Sequence, residues 1–211
     1  MFFCYNTASV ERWLSGRKQR TANASYGQPY RRFESCPLRH FYTYLNKMNS
    51  LIIYASIHHK NTEKIATTMA SELQTKAVPF FEAKEMDLQK IKIIGFGSGV
   101  YYSKFHKGLV KLAENLPDMK GKKAFLFSTA GMKKNFLLNR SHFHFKKTLK
   151  EKNFEIIGEF DCLGWDTNGL LKKIGGLNKG RPNEEDLRNS KFFAKELLKK
   201  ELTQKQKVQF L

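Results

Sequence analysis

Three short segments hold the residues of this sequence that are best suited to binding a phosphate-bearing ligand. The first is Ser56–Thr62, which combines hydroxyls, two histidines, a lysine and an asparagine. The second is Gly97–Tyr102 and the third is Ser128–Gly131. The first segment leads directly into a predicted helix, and a helix N-terminus presents free backbone N–H groups that bind anions. We therefore interpret Ser56–Thr62 as a phosphate loop.

The same segments exclude the commonest nucleotide motifs. Gly95, Gly97 and Gly99 are followed by Val100 and not by glycine, so the dinucleotide fingerprint is absent, and no Gly-Lys-Ser/Thr occurs. Hydrolysis of a nucleoside triphosphate is therefore not expected. The histidines of His58-His59 and His142-Phe143-His144 lack an accompanying ligand set, so we predict no metal site. No catalytic acid or base stands out.

Five short apolar runs alternate with amphipathic segments after residue 50. We predict strands at 51–55, 78–82, 91–96, 123–128 and 155–162, and helices at 62–76, 104–115, 141–152 and 183–202. Apolar strands separated by helices indicate a parallel sheet that is covered on both faces. Right-handed crossovers make this fold a three-layer α/β/α sandwich with a five-stranded parallel sheet. Ligands bind such sheets at the carboxyl ends of the strands, where the three segments lie.

The order of these segments resembles that of the flavodoxin family. The family's phosphate loop, Ser/Thr-x-x-x-Gly-Asn-Thr, is similar to Ser56-Ile57-His58-His59-Lys60-Asn61-Thr62. Its flavin loops are similar to Gly97–Tyr102 and Ser128–Gly131, and the likeness continues in Phe160–Asp166 and Gly180–Leu187. The resemblance covers residues 48–205 and implies the strand order 2-1-3-4-5, with FMN as the cofactor.

The resemblance also implies which residues bind the cofactor. Those of the phosphate loop are Ser56, Ile57, His58, His59, Lys60, Asn61 and Thr62. Those flanking the flavin ring are Gly97, Ser98, Gly99, Val100, Tyr101 and Tyr102, and those at its polar edge are Ser128, Thr129, Ala130 and Gly131. Lys60 departs from the family, which has Gly there. Glycine suits a left-handed backbone, whereas lysine costs strain but adds a positive charge for the phosphate.

The function implied by the resemblance is FMN-dependent electron transfer between redox protein partners, a reductase and an acceptor. Two alternatives stay open at this point. The first is an FMN-dependent NAD(P)H/quinone or porphyrinogen oxidoreductase on the same fold, and the second is a non-redox binding module. The oligomeric state is not predicted.

The net charge of +19 is the strongest feature of the composition. Residues 1–47 hold eight basic and two acidic residues, so residues 48–211 keep a net charge of +13. We interpret this charge as a solvated basic surface, or as a surface that selects an acidic partner. The three cysteines form no CxxC pair, and no apolar run reaches the ~18 residues of a membrane helix. We therefore expect a cytoplasmic protein without a membrane span.

Residues 1–47 differ from the rest because they show neither a strand nor a helix period. Codons for Arg32–Ser35 can contain the T-arm of a transfer-RNA gene, and codons for Trp13–Gly16 can resemble a serine-type D-arm. We therefore predict a spurious or unstructured extension, with a flavodoxin-like domain at 48–211. The alternative is a basic arm that binds nucleic acid. Outside this segment, nucleic-acid binding is not expected.

Overall fold

The computed structural model describes residues 49–132 and 136–209, so the predictions for residues 1–47 lie outside the described residues. Its strands are β1 (Ser50–Ala55), β2 (Lys76–Pro79), β3 (Ile93–Tyr101), β4 (Lys104–Phe105), β5 (Lys123–Ala130) and β6 (Glu155–Leu163). Its α-helices are α1 (Asn61–Leu73), α2 (Phe80–Ala83), α3 (Lys107–Glu114), α4 (Phe136–Glu151) and α5 (Glu184–Gln209). Short 3-10 turns lie at Leu88–Lys90 and Gly169–Ile174.

Five strands form a parallel sheet in the order β2-β1-β3-β5-β6. The short β4 adds a sixth strand, which pairs antiparallel with the end of β3. Without β4, the order is the predicted 2-1-3-4-5, so the predicted three-layer α/β/α fold is confirmed. All five parallel strands end at the same edge of the sheet, and this edge carries the candidate site.

Helices cover both faces of the sheet and bury a separate apolar cluster on each. On one face, α1 and α5 contribute residues such as Met69 and Leu197, which pack with Phe125 and Phe127 of β5. On the other face, α3 and α4 pack against a cluster that includes Phe96. Burial on both faces explains why the strands read as continuous apolar runs in the sequence.

Several predicted boundaries were wrong. The helix predicted at 62–76 ends at Leu73 because Gln74 takes a left-handed backbone, with φ of 50°. The second strand therefore starts at Lys76, and residues 80–83 (Phe-Phe-Glu-Ala) form the short α2. The N-cap of the last helix was predicted correctly, since the Asn183 side chain accepts a hydrogen bond from the backbone N–H of Asp186 at 3.1 Å.

The largest correction concerns β3, which continues through residues predicted to be a flavin loop. Gly95 and Gly97 stay in the strand, and the rings of Phe125 and Phe127 lie directly over them. A Cβ on Gly97 would lie 2.0 Å from the Phe127 ring. The glycines therefore make room for two buried phenylalanines, and pairing with strands on both sides holds this glycine-rich segment extended.

Candidate functional site

A cleft lies at the carboxyl edge of the sheet, where β1, β3, β5 and β6 end. All three segments singled out in the sequence contribute to it. Its lining residues are Ser56, His58, Asn61, Thr62, Gly99, Val100, Tyr101, Thr129, Ala130, Gly131, Gly164, Trp165, Asp166 and Asn168.

The phosphate loop joins β1 to the N-terminus of α1. Lys60 is the N-cap residue and takes a left-handed backbone, with φ of 54° and ψ of 26°. This is the conformation for which glycine is suited, as we predicted for this position. The Lys60 side chain is exposed, and its Nζ lies 3.6 Å from the Glu63 carboxylate, so Lys60 does not line the cleft. The Asn61 N–H donates to the His58 carbonyl at 3.4 Å, whereas the N–H groups of Thr62 and Glu63 have no preceding helical turn to donate to and can bind an anion.

Two buried polar atoms of this loop have no hydrogen-bond partner among the described residues. They are Ser56 Oγ and Asn61 Oδ1. The Asn61 amide is held in place because its Nδ2 donates to the Trp165 carbonyl at 2.8 Å. Beside it, Thr62 Oγ1 and Thr129 Oγ1 lie 2.9 Å apart and link the loop to β5. A buried hydroxyl and a buried carbonyl without partners cost free energy unless a ligand pairs with them.

Tyr101, at the end of β3, lines the cleft with a half-buried side chain. Burial raises the pKa of its phenol, a backbone hydrogen bond with Ile57 lowers it, and the Asp166 charge raises it further. The ring lies edge-on to His58 and His106, with centroids 6.2 and 6.0 Å away. Burial lowers the pKa of His106, whose Nδ1 accepts a hydrogen bond from a backbone N–H at 3.1 Å. Tyr101 thus presents a neutral aromatic surface.

Some of the predicted cofactor-binding residues lie outside the cleft lining. They are Ile57, His59, Lys60, Gly97, Ser98, Tyr102 and Ser128. Ser98 Oγ faces the interior and accepts a hydrogen bond from the backbone N–H of His106 at 2.9 Å. Ser128 is fully buried, with its Oγ 2.8 Å from Nε2 of His142. Tyr102 has 89% of its surface exposed. Gly97, Ser98 and Ser128 lie in strands, where neighbouring residues point to opposite faces of the sheet, and the sequence did not predict which face each of them takes.

Residues after β6 also line the cleft, as expected for a loop that follows the fifth predicted strand, although none of them was assigned to the site. The side of the cleft next to β6 is formed by Gly164, Trp165, Asp166 and Asn168. The Asp166 carboxylate packs so closely on Gly131 that a Cβ there would lie 2.5 Å from its Oδ2. The signal for this side of the cleft was present, because the segment is polar and follows a strand at the carboxyl edge of the sheet.

A hydrogen-bond chain runs from the buried Ser128 of β5 to the partly exposed Glu159 of β6. His142 of α4 lies between Ser128 and Glu159, with its Nδ1 2.9 Å from Glu159 Oε2. Lys146 donates to the other Glu159 oxygen at 2.7 Å. Burial raises the pKa of Glu159, but the hydrogen bonds from Lys146 and His142 outweigh it, so the pKa lies below its usual value. Because Ser128 is fully buried, this chain serves the packing of the sheet rather than a reaction in the cleft.

Within the described residues, no set of three side chains is arranged to hold a metal ion. Burial, then the charges of Asp186 and Asp161, raises the pKa of the Cys162 thiol far above its usual value. This thiol is therefore not a reactive nucleophile. None of the described helices is both long enough and apolar enough to cross a membrane.

The sheet order and the anion-ready loop after β1 define the class of flavodoxin-like α/β proteins. Residues 51–157 match the flavodoxin domain model. An uncharacterized protein of Methanocaldococcus jannaschii is 47% identical over 152 residues, which cover 72% of this chain and 99% of the relative. The flavodoxin-like domain-containing protein BilS of Clostridioides difficile is 30% identical, over 67% of this chain and 80% of that protein. The chain therefore belongs to the flavodoxin domain family.

Solved structures support the same fold. Oxidised flavodoxin 2 of Bacillus cereus superposes with a TM-score of 0.53 at 21% identity, over 72% of this chain and 99% of that chain. The Fusobacterium nucleatum flavodoxin bound to flavin mononucleotide gives a TM-score of 0.51 at 14% identity, over 72% and 97% of the two chains. At these identities the structures establish the fold.

Proposed function

We propose that residues 48–211 bind FMN in the cleft and transfer electrons between protein partners in the cytoplasm. The observation that carries this proposal is the pair of buried, unpartnered polar atoms, Ser56 Oγ and Asn61 Oδ1, beside the N-terminus of α1. An anionic, hydroxyl-bearing ligand satisfies both atoms and the helix terminus together. The flavodoxin of Fusobacterium nucleatum is bound to flavin mononucleotide, a ligand of this kind.

Different residues of the cleft suit different parts of FMN. The Ser56 hydroxyl and the N–H groups of Thr62 and Glu63 would donate hydrogen bonds to the phosphate. The Asn61 Oδ1 atom and the Asp166 carboxylate would accept hydrogen bonds from hydroxyl groups of the ligand. Tyr101 provides an aromatic surface, and Gly99 and Gly131 leave the backbone accessible to the ring. FMN, when bound, supplies the capacity to accept and release electrons.

The rim of the cleft supports docking of a partner protein. Ile57, Tyr102 and Met132 follow β1, β3 and β5 and expose 54%, 89% and 54% of their surfaces. The exposed Lys60 and Lys104 lie within three residues of Ile57 and Tyr102 in the sequence, and residues 48–211 carry a net charge of +13. An apolar centre flanked by lysines fits redox partners whose docking surface is acidic.

Titration of purified protein with FMN, followed by quenching of flavin fluorescence, tests the proposal. We expect binding at or below micromolar concentration, with riboflavin binding more weakly because it lacks the phosphate. Failure to bind FMN at micromolar concentration would overturn the proposal and favour a non-redox module. If the FMN-loaded protein turns over NAD(P)H with a quinone without a reductase, it is an oxidoreductase and not a carrier.

A further inference from the structure

The phosphate loop contains two consecutive residues in a conformation that L-amino acids disfavour. His59 and Lys60 both have φ of 54°. A left-handed backbone brings Cβ close to the following carbonyl oxygen, so each of these residues costs free energy. Glycine would carry no such cost, but neither position has it. Such a conformation persists only where surrounding contacts hold it in place.

The segment after β6 provides those contacts. The His59 ring stacks on the Trp165 ring, with centroids 3.8 Å apart and planes inclined by 20°. His59 Nε2 lies 2.7 Å from Thr167 Oγ1. Asn61 Nδ2 donates to the Trp165 carbonyl at 2.8 Å. We refer to these contacts of His59 and Asn61 with Trp165 and Thr167 as the clasp.

Trp165 is itself held in place by contacts with residues 175–181. Its backbone N–H donates to the Arg181 carbonyl at 3.0 Å, and its Nε1 donates to the Gly175 carbonyl at 3.2 Å. Gly176 packs against the indole, because a Cβ there would lie 2.5 Å from Nε1. An indole that is held by the Nε1 hydrogen bond and by packing on Gly176 can impose a conformation on the loop that stacks against it.

We propose that Trp165 is a positioning residue that holds the phosphate loop in its left-handed, phosphate-ready conformation before the ligand binds. This inference rests on the proposed binding of FMN. The clasp takes over the role of the glycine that the family has in place of Lys60. The strain free energy of the left-handed loop is therefore part of the free energy of folding. Because it is already present before the ligand binds, it does not reduce the affinity for phosphate.

The first test compares Trp165→Leu, which removes the stacking ring, with Trp165→Phe, which keeps an aromatic ring. We expect Trp165→Leu to weaken FMN binding about tenfold or more and riboflavin binding by clearly less, since riboflavin lacks the phosphate that the loop is proposed to bind. Trp165→Phe keeps a stacking ring but loses the Nε1 hydrogen bond to Gly175, so it should lose less FMN affinity than Trp165→Leu. Phe192→Leu, on an exposed face of α5, serves as a surface control.

The second test uses the strain itself. Lys60→Gly and Lys60→Ala both remove the lysine charge, but only glycine relieves the left-handed conformation. With Trp165 present, we expect the two variants to bind FMN within about twofold of each other, because the loop is already in place. In the Trp165→Leu background, the glycine variant should bind FMN about five- to thirtyfold more tightly than the alanine variant.

Hydrogen exchange of the ligand-free protein tests the clasp independently of FMN. We expect amides of residues 57–64 to exchange faster in Trp165→Leu than in the wild type, with unchanged exchange in β5. Equal exchange in this segment overturns the clasp, as does an equal Gly/Ala ratio in both backgrounds or an equal loss of FMN and riboflavin affinity. If the wild type binds no FMN, the proposed function fails, and the exchange result alone decides whether the clasp exists.

Discussion

Replacing Ser56 with alanine should have opposite effects on the stability of the ligand-free protein and on its affinity for FMN. Ser56 Oγ is buried and has no hydrogen-bond partner among the described residues. Ser56→Ala removes this unsatisfied hydroxyl from the ligand-free protein. The same substitution removes a donor that the proposed function assigns to the FMN phosphate. A substitution that raises stability and lowers ligand affinity is typical of a residue that serves binding at the expense of folding.

The size of both effects follows from the burial of the hydroxyl. An unsatisfied buried polar group costs about 1–3 kcal/mol, so the ligand-free variant should be more stable by about 1 kcal/mol. A hydrogen bond to a charged group contributes about 1.5–3 kcal/mol, so FMN affinity should fall roughly 10- to 150-fold. Riboflavin affinity should not change, because riboflavin has no phosphate.

Urea unfolding of the ligand-free protein and fluorescence titration with both flavins measure these quantities. Ser190→Ala is a matched control, since Ser190 is also buried but its hydroxyl donates to the Leu187 carbonyl at 2.8 Å. The control should lower stability and leave FMN affinity unchanged. The reasoning is refuted if Ser56→Ala destabilises the ligand-free protein as much as Ser190→Ala does, or if both flavins lose affinity equally.

Three further predictions concern packing, pH and charge. Gly97→Ala should destabilise the protein by about 2–3 kcal/mol through the overlap with Phe127, and Phe127→Leu should restore part of this loss in urea unfolding. If Gly97→Ala costs under about 0.5 kcal/mol, the packing role is wrong. Because hydrogen bonds from Lys146 and His142 lower the pKa of Glu159, its stabilising effect is present at neutral pH and is lost as the pH falls through that lowered pKa. The stability difference between Glu159→Gln and the wild type should therefore shrink toward pH 3, and a constant difference would contradict this. The midpoint potential of the bound flavin should fall as salt is added. The net charge of +13 on residues 48–211 favours the anionic reduced ring, and salt screens that charge. Potentiometry that shows no salt dependence would exclude this effect.

The sequence predicted the order of the elements better than their ends. The apolar runs at 51–55 and 123–128 are buried on both faces in the fold, and this burial is why each reads as a continuous apolar run in the sequence. The end of β3 was missed because Gly97, Ser98 and Gly99 have low strand propensity. Pairing with β1 and β5 overrides that propensity, and no local pattern encodes such pairing.

Part of the site was also predictable. Ser56, Asn61 and Thr62 line the cleft because their loop directly follows a strand and opens a helix, and both relations are local. The left-handed backbone at Lys60 was expected from the glycine that the family has there. Trp165 was quoted as part of the resemblance but was not assigned to the site, since more than 100 residues separate it from His59.

The sequence alone determined a parallel α/β sheet and predicted a phosphate loop after its first strand, because hydrophobic periodicity and helix-start signals act over a few residues. Only the tertiary structure decided which of the predicted residues line the cleft. It turned Ser98 and Ser128 inward, used Gly97 for phenylalanine packing, and brought the segment after β6 onto the phosphate loop. These outcomes depend on strand register and on contacts between distant segments, which form only when the sheet assembles.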